Sequence, residues 1–141
     1  MIPKAAYLTP MLHVSDVLQS IEFYRLLGLE LIDYQGDPSC PQWARMHGDG
    51  GDLMFLLAEE RIESSKQGFF LTLYTDELEN LREHLLANGV NVSEIRCPPY
   101  MPSGEIAIPD PDGYKVFVEQ WGTAEHQRWE RDRRERLGKM R

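Results

Sequence analysis

The sequence says nearly the same thing twice. Residues 11–27, MLHVSDVLQSIEFYRLL, set an apolar strand, an aspartate and an amphipathic helix in order. Residues 70–86, FLTLYTDELENLREHLL, repeat that order with Asp76 in the place of Asp16. Each helix runs to a glycine, Gly28 or Gly89, and restarts as a strand. Each half closes with a tight turn into an apolar strand, GDGG-DLMFLL at 48–57 and DPDG-YKVFVEQ at 110–120. The three landmarks are offset by 60, 61 and 62 residues. So constant an offset implies two copies of one βαβββ unit, facing each other across a cleft.

The first copy reads as a strand over 5–14, a helix over 17–27 and strands near 29–35, 42–47 and 52–58. Asp16 suits the helix N-cap, because its carboxylate can accept from the free amides of the first turn. Val17, Ile21, Tyr24 and Leu27 or Leu26 fall at helical spacing on one face, and Gly28 ends the helix at a position that favours positive φ. Residues 59–67 are a polar linker. The second copy reads as a strand over 69–75, a helix over 77–88 with Leu78, Leu81 and Leu85 on its apolar side, and strands near 90–96, 104–108 and 114–121. In the DPDG turn, Pro111 presets φ and Gly113 accepts φ > 0, so the motif makes a hairpin and is not itself a site. The expectation is an α+β fold: two tandem βαβββ units, about 5–58 and 68–121, form a mixed-sheet cleft in a single domain over 1–122. A charged, helical tail follows over 123–141, with Trp129 as an anchor against the body or a partner chain.

Charge and composition exclude several function classes. The tail carries seven Lys or Arg against four Asp or Glu, leaving eight against nineteen in the body. A body so acidic argues against nucleic acid, whose binding rests on neutralising phosphates, and is compatible with cationic small ligands. No run approaches the roughly 20 apolar residues of a spanning helix, and the N-terminus lacks a signal-peptide pattern. Cys40 and Cys97 have no CxxC spacing, which fits unpaired thiols in a reducing cytoplasm.

The stretches DVLQSIEFYRLLGL (16–29) and IPDPDGYKVFVE (108–119), set in paired βαβββ units, resemble the vicinal oxygen chelate superfamily. That group contains glyoxalase I, ring-cleaving dioxygenases, fosfomycin-modifying enzymes and bleomycin-resistance proteins. The resemblance covers about residues 5–121. It implies a divalent metal held between the halves by side chains of four strands, where nitrogen and oxygen donors converge at about 2.0–2.2 Å. Counted from the landmarks, the matching positions here are Thr9, Phe55, Phe70 and Phe117. None is a strong metal donor, so the metal site that the resemblance implies is expected to be missing and no cofactor is expected.

Period-two alternation says what else shares that face. It groups Thr9, Met11 and His13; Leu53, Phe55 and Leu57; Phe70, Thr72 and Tyr74; and Lys115, Phe117 and Glu119. Thr9, His13, Trp43, Phe55, Phe70, Tyr74, Phe117 and Glu119 are therefore the candidate ligand-binding residues. Two readings of the three phenylalanines stay open: a stacking platform for an aromatic ligand, or a cleft closed by its own rings. Trp43 and Arg45 alternate on one strand and could clamp a planar or anionic group, or simply be surface. The leading expectation is a metal-free, cytoplasmic binding protein for a small organic molecule, aromatic or cationic. The resemblance adds the expectation of a homodimer. The alternative is a metal-dependent lyase, isomerase or dioxygenase with displaced ligands around His13 and Glu119, drawing on His47 or Glu105.

Overall fold

In the computed structural model, which describes residues 1–140, the chain divides into two units. The first comprises Met1–Gln67 together with Asp110–Tyr114, and the second comprises Gly68–Pro109 with Lys115–Arg141. The fold is α+β, with one sheet of four strands and one of three.

In the first unit, β1 (Met11–Val14) leads to α1 (Val17–Leu26), then to β2 (Glu30–Asp37), β3 (Cys40–Gly48) and β4 (Gly51–Leu57). The sheet order is β1-β4-β3-β2, with β1 parallel to β4 and the other pairs antiparallel. Asp16 caps α1 as expected, accepting from the Gln19 amide at 3.2 Å. The helix buries Val17, Ser20, Ile21 and Tyr24. Against it lies one sheet face built from Leu12 and Val14, Ala44 and Met46, and Leu53 and Phe55, all buried. Phe55 is 0% exposed and its ring sits 5.3 Å from that of Tyr24. A large side chain buried in this way contributes about 1.5–3 kcal/mol. The expected strand over 5–14 shortens to four residues, and a single 3-10 turn at Ser64–Lys66 interrupts the linker.

The segment 110–114 completes this unit. Tyr24 Oη donates to Asp110 Oδ2 at 3.0 Å, the Ser15 amide donates to both Asp112 oxygens at 3.2 Å, and Tyr114 Oη donates to the His13 carbonyl at 2.7 Å. Asp110 Oδ1 accepts from the amides of Asp112 and Tyr114, each at 2.9 Å, which closes the turn. Gly113 stands at φ +85, where a Cβ would come within 2.5 Å of Ser64 Oγ.

In the second unit, β5 (Leu71–Thr75) leads to α2 (Leu78–Ala87), then to β6 (Glu105–Pro109), β7 (Lys115–Gln120) and α3 (Thr123–Gly138). The sheet order is β5-β7-β6, parallel then antiparallel. Leu78 and Leu85 of α2 are buried, as are Ile106, Ile108, Val116 and Val118 on the sheet face it covers. Asp76 does not repeat the capping role of Asp16. The helix starts one residue later, and the Leu78 amide donates to the Gln120 side chain at 3.1 Å.

The strand expected over 90–96 does not form. Only an isolated bridge, Arg96 to Glu105, remains of it. Ser93 explains the interruption: its hydroxyl accepts from the Ala107 amide at 2.9 Å, where a ladder would use a backbone carbonyl. Side chains of this kind compete with sheet ladders for backbone donors. The tail forms α3 over Thr123–Gly138, a helix as expected, but none of that helix's residues is buried. Among the described residues, no helix is long and apolar enough to cross a membrane.

Candidate functional site

Each sheet has one face covered by its helix and one face open, and alternation along the strands sorts the candidate residues between them. In the second unit, register places Thr72 beside Phe117, Tyr74 beside Glu119, and Glu105 across from Glu119. Val116 and Val118 point the other way and are buried, so Phe70, Thr72, Tyr74, Phe117, Glu119 and Glu105 share the open face. Phe70 and Phe117 meet edge to face at 5.3 Å, with Lys115 Nζ 5.6 Å from the Phe70 ring. Phe70 is 62% exposed, so this pair does not fill a core. Tyr74 meets Trp121 at 5.6 Å, Trp121 continues at 6.0 Å to Trp129 on α3, and the Arg133 guanidinium lies over the Trp129 ring at 5.0 Å. The result is a run of ring edges and faces beside two carboxylates.

Those carboxylates lie in unlike surroundings. Glu105 is 3% exposed, and its Oε1 accepts from Tyr100 Oη at 2.7 Å. Glu119 is half-buried; desolvation and the neighbouring Glu105 hold its carboxyl above the usual carboxylate range. Burial and Glu119 likewise push the Tyr74 phenol up, while the bond to Glu105 raises that of Tyr100.

In the first unit, the open face carries Met11 and His13 from β1, Met54 and Leu56 from β4, and Trp43 and Arg45 from β3. Arg45 Nε donates to Asp52 Oδ2 at 2.8 Å, and Arg45 Nη2 reaches Thr9 Oγ1 at 3.3 Å. His47 Nδ1 lies 2.6 Å from Asp52 Oδ1. The hydrogen bonds from Arg45 and His47 hold the Asp52 carboxyl below its usual range.

Thr9, His13 and Trp43 are thus brought to one open face, and Phe70, Tyr74, Phe117 and Glu119 to the other. Phe55 is the exception. Leu53, Phe55 and Leu57 form the more apolar alternation of β4; Leu53 and Phe55 go under α1, and Met54 and Leu56 take the open face in their place. Tyr100, Trp121 and the Glu105–Glu119 juxtaposition are additions. Counting outward from the 110–114 turn, starting with Pro109 opposite Lys115, would have paired Glu105 with Glu119.

The four positions that would hold a divalent metal do not make a donor set. Phe70 and Phe117 offer carbon, Phe55 is buried under α1, and the Thr9 hydroxyl is engaged by the Arg45 cation. Among the described residues, no group of three His, Cys, Asp or Glu side chains could hold a metal ion.

Known structures share this architecture. A bleomycin-binding protein complexed with bleomycin is 18% identical with a TM-score of 0.65, covering 84% of this chain and all of the other. The antibiotic-binding protein TnmS3 from Streptomyces sp. CB03234 is 22% identical with a TM-score of 0.64, covering 86% of this chain and 100% of its own. A lactoylglutathione lyase from Agrobacterium tumefaciens is 20% identical with a TM-score of 0.62, covering 84% and 95%. Among curated proteins, no sequence matches this chain significantly. The sequence pattern of one family matches residues 6–118, most of the chain. The chain belongs to the Glyoxalase/Bleomycin resistance protein/Dioxygenase superfamily.

Proposed function

We propose that this protein binds a small organic molecule, aromatic or cationic, without a metal cofactor. The observation that carries the reading is the open face of the second unit, where Phe70, Tyr74, Phe117 and Trp121 present rings outside the core. Flat ligands gain by offset or edge-to-face contact with such rings, and Thr72 and Tyr74 add hydroxyls for orientation. Two structural neighbours are named for binding bleomycin or an antibiotic, which supports a binding role. The Thr and Phe side chains at the usual metal positions support a metal-free one. The protein acts as a homodimer in a reducing cytoplasm, a setting compatible with its two unpaired, exposed cysteines.

A thermal-shift series with flat heteroaromatic compounds tests the reading. Binding to the folded state stabilises by mass action, by about 2.7 kcal/mol at a hundredfold excess over Kd. The melting temperature should rise by several degrees for some members, and the rise should vanish in a Phe70→Ala, Phe117→Ala double variant. Indifference to the whole series would refute ligand binding on this face. Near-stoichiometric Fe, Mn, Ni or Zn in protein purified without chelator would refute the metal-free part and favour the lyase, isomerase or dioxygenase alternative at His13 and Glu119.

A further inference from the structure

We propose that α3 is a self-association surface, on which a second copy of this chain lays its own α3 in the antiparallel direction. The inference rests on the homodimer part of the reading above and names its contact; the ligand face plays no part in it.

Thr123–Gly138 makes a helix of 16 residues, yet none of them is buried. Isolated helices of about this length are marginal in water, and most helical stability in proteins comes from packing one face. α3 has such a face. His126, Trp129, Arg133 and Leu137 recur every third or fourth residue and so line up as one stripe. Within it Trp129 is 41% exposed and Leu137 is 52% exposed. Off the stripe, Ala124 is the only apolar side chain of the helix. The helix also lies wholly beyond residue 118, where the family pattern ends.

Charge chooses both the partner and its direction. Residues 123–132 hold three acidic side chains against two basic ones, and residues 133–141 hold five basic against one acidic. Parallel pairing of two such helices sets the basic ends side by side. Antiparallel pairing sets each basic end beside an acidic-leaning one, and charges that flank a seam fix partner and orientation in this way. With Arg133 at the centre, Trp129 of each copy meets Leu137 of the other. Helical geometry then puts Glu130 near Arg134 of the second copy, and Asp132 near its Arg136. The two central Arg133 side chains are already engaged in their own helices, by Glu130 at 3.1 Å and over the Trp129 ring at 5.0 Å. A seam this short makes a weak, reversible pair.

Sedimentation of the full chain over a concentration series tests this with two charge-reversed variants. One carries Arg134→Glu with Arg136→Glu, the other Glu130→Lys with Asp132→Lys. The wild type should show a monomer–dimer equilibrium, and each variant alone should self-associate about tenfold more weakly. An equimolar mixture of the two should recover the wild-type affinity, because each reversed end then faces its complement. The mixture also controls for the Glu130–Arg134 pair inside each helix, at 3.5 Å, which stays broken in both variants. Leu137→Ser, which alters no charge, should weaken pairing as well. Unchanged self-association in all three variants would overturn the inference and leave a homodimer through another surface standing. Tighter association of the Glu130→Lys, Asp132→Lys variant would overturn it in favour of α3 docking on the acidic body of the other copy. A wild type that gains mass only with a duplex oligonucleotide would overturn it in favour of nucleic acid. A wild type that stays monomeric would remove the homodimer along with it.

Discussion

Tyr24 and Asp110 show how one residue pair can close a unit whose parts are far apart in sequence. Tyr24 is fully buried, and its hydroxyl has one partner, a carboxylate that itself receives two backbone amides. Burial first, and Asp110 second, push the phenol well up, while burial holds the Asp110 carboxyl above its usual range against the pull of its hydrogen bonds. Tyr24→Phe removes the donor and leaves a buried oxygen underserved, so urea unfolding should show a loss of about 1–3 kcal/mol. Glu119 shifts in the same direction as Asp110, through burial first and the neighbouring Glu105 second. Its proton affinity is higher in the folded chain than in the unfolded one, so its contribution to stability is complete below the unfolded value and is lost as pH rises through the folded value. Glu119→Gln should therefore melt above the wild type at neutral pH, by the equivalent of about 0.2–1 kcal/mol. The difference should shrink on acidification through the carboxylate range, and a gap that widens on acidification would contradict the assignment.

At the scale of elements, what was legible in the sequence is what short-range chemistry decides. Asp16 and Gly28 bound α1 because capping and positive φ act within a turn. The hairpin at 110–113 was legible for the same reason. Gly113→Ala would force a side chain into left-handed backbone and against Ser64; denaturant titration should show a cost of more than about 1 kcal/mol. Two features escaped because they depend on partners. The strand expected over 90–96 was lost to the Ser93 hydroxyl, which only a neighbouring Ala107 amide reveals. Phe55 lies on the face opposite to the expected one because both alternations of β4 are apolar, and only the packing of α1 chooses between them. The same dependence on tertiary packing makes α3 the least secured helix. Its ion pairs, such as Arg133–Glu130 at 3.1 Å, are at least partly solvated and worth only tenths of a kcal/mol each. With no buried residue, α3 should exchange its amide protons well before α1, which hydrogen exchange resolved by segment would detect.

For the whole molecule, the repeat remains the organising fact, but its two copies are not independent segments of chain. The first unit borrows residues 110–114 from the far end of the sequence. A fragment ending at Gln67 would lack the partners of Tyr24, Ser15 and the His13 carbonyl. Circular dichroism should find that it unfolds without a cooperative transition, although it contains every strand and helix of that unit. The same discontinuity puts a delay into biosynthesis. The last strand of the first unit leaves the ribosome with Leu57, but the turn that completes its packing ends at Tyr114. At about 5–20 residues per second, the nascent first half waits on the order of several seconds for its own last piece. During that interval the Tyr24 hydroxyl has no Asp110 to meet, and the duplication that looks modular on paper is made in a single act.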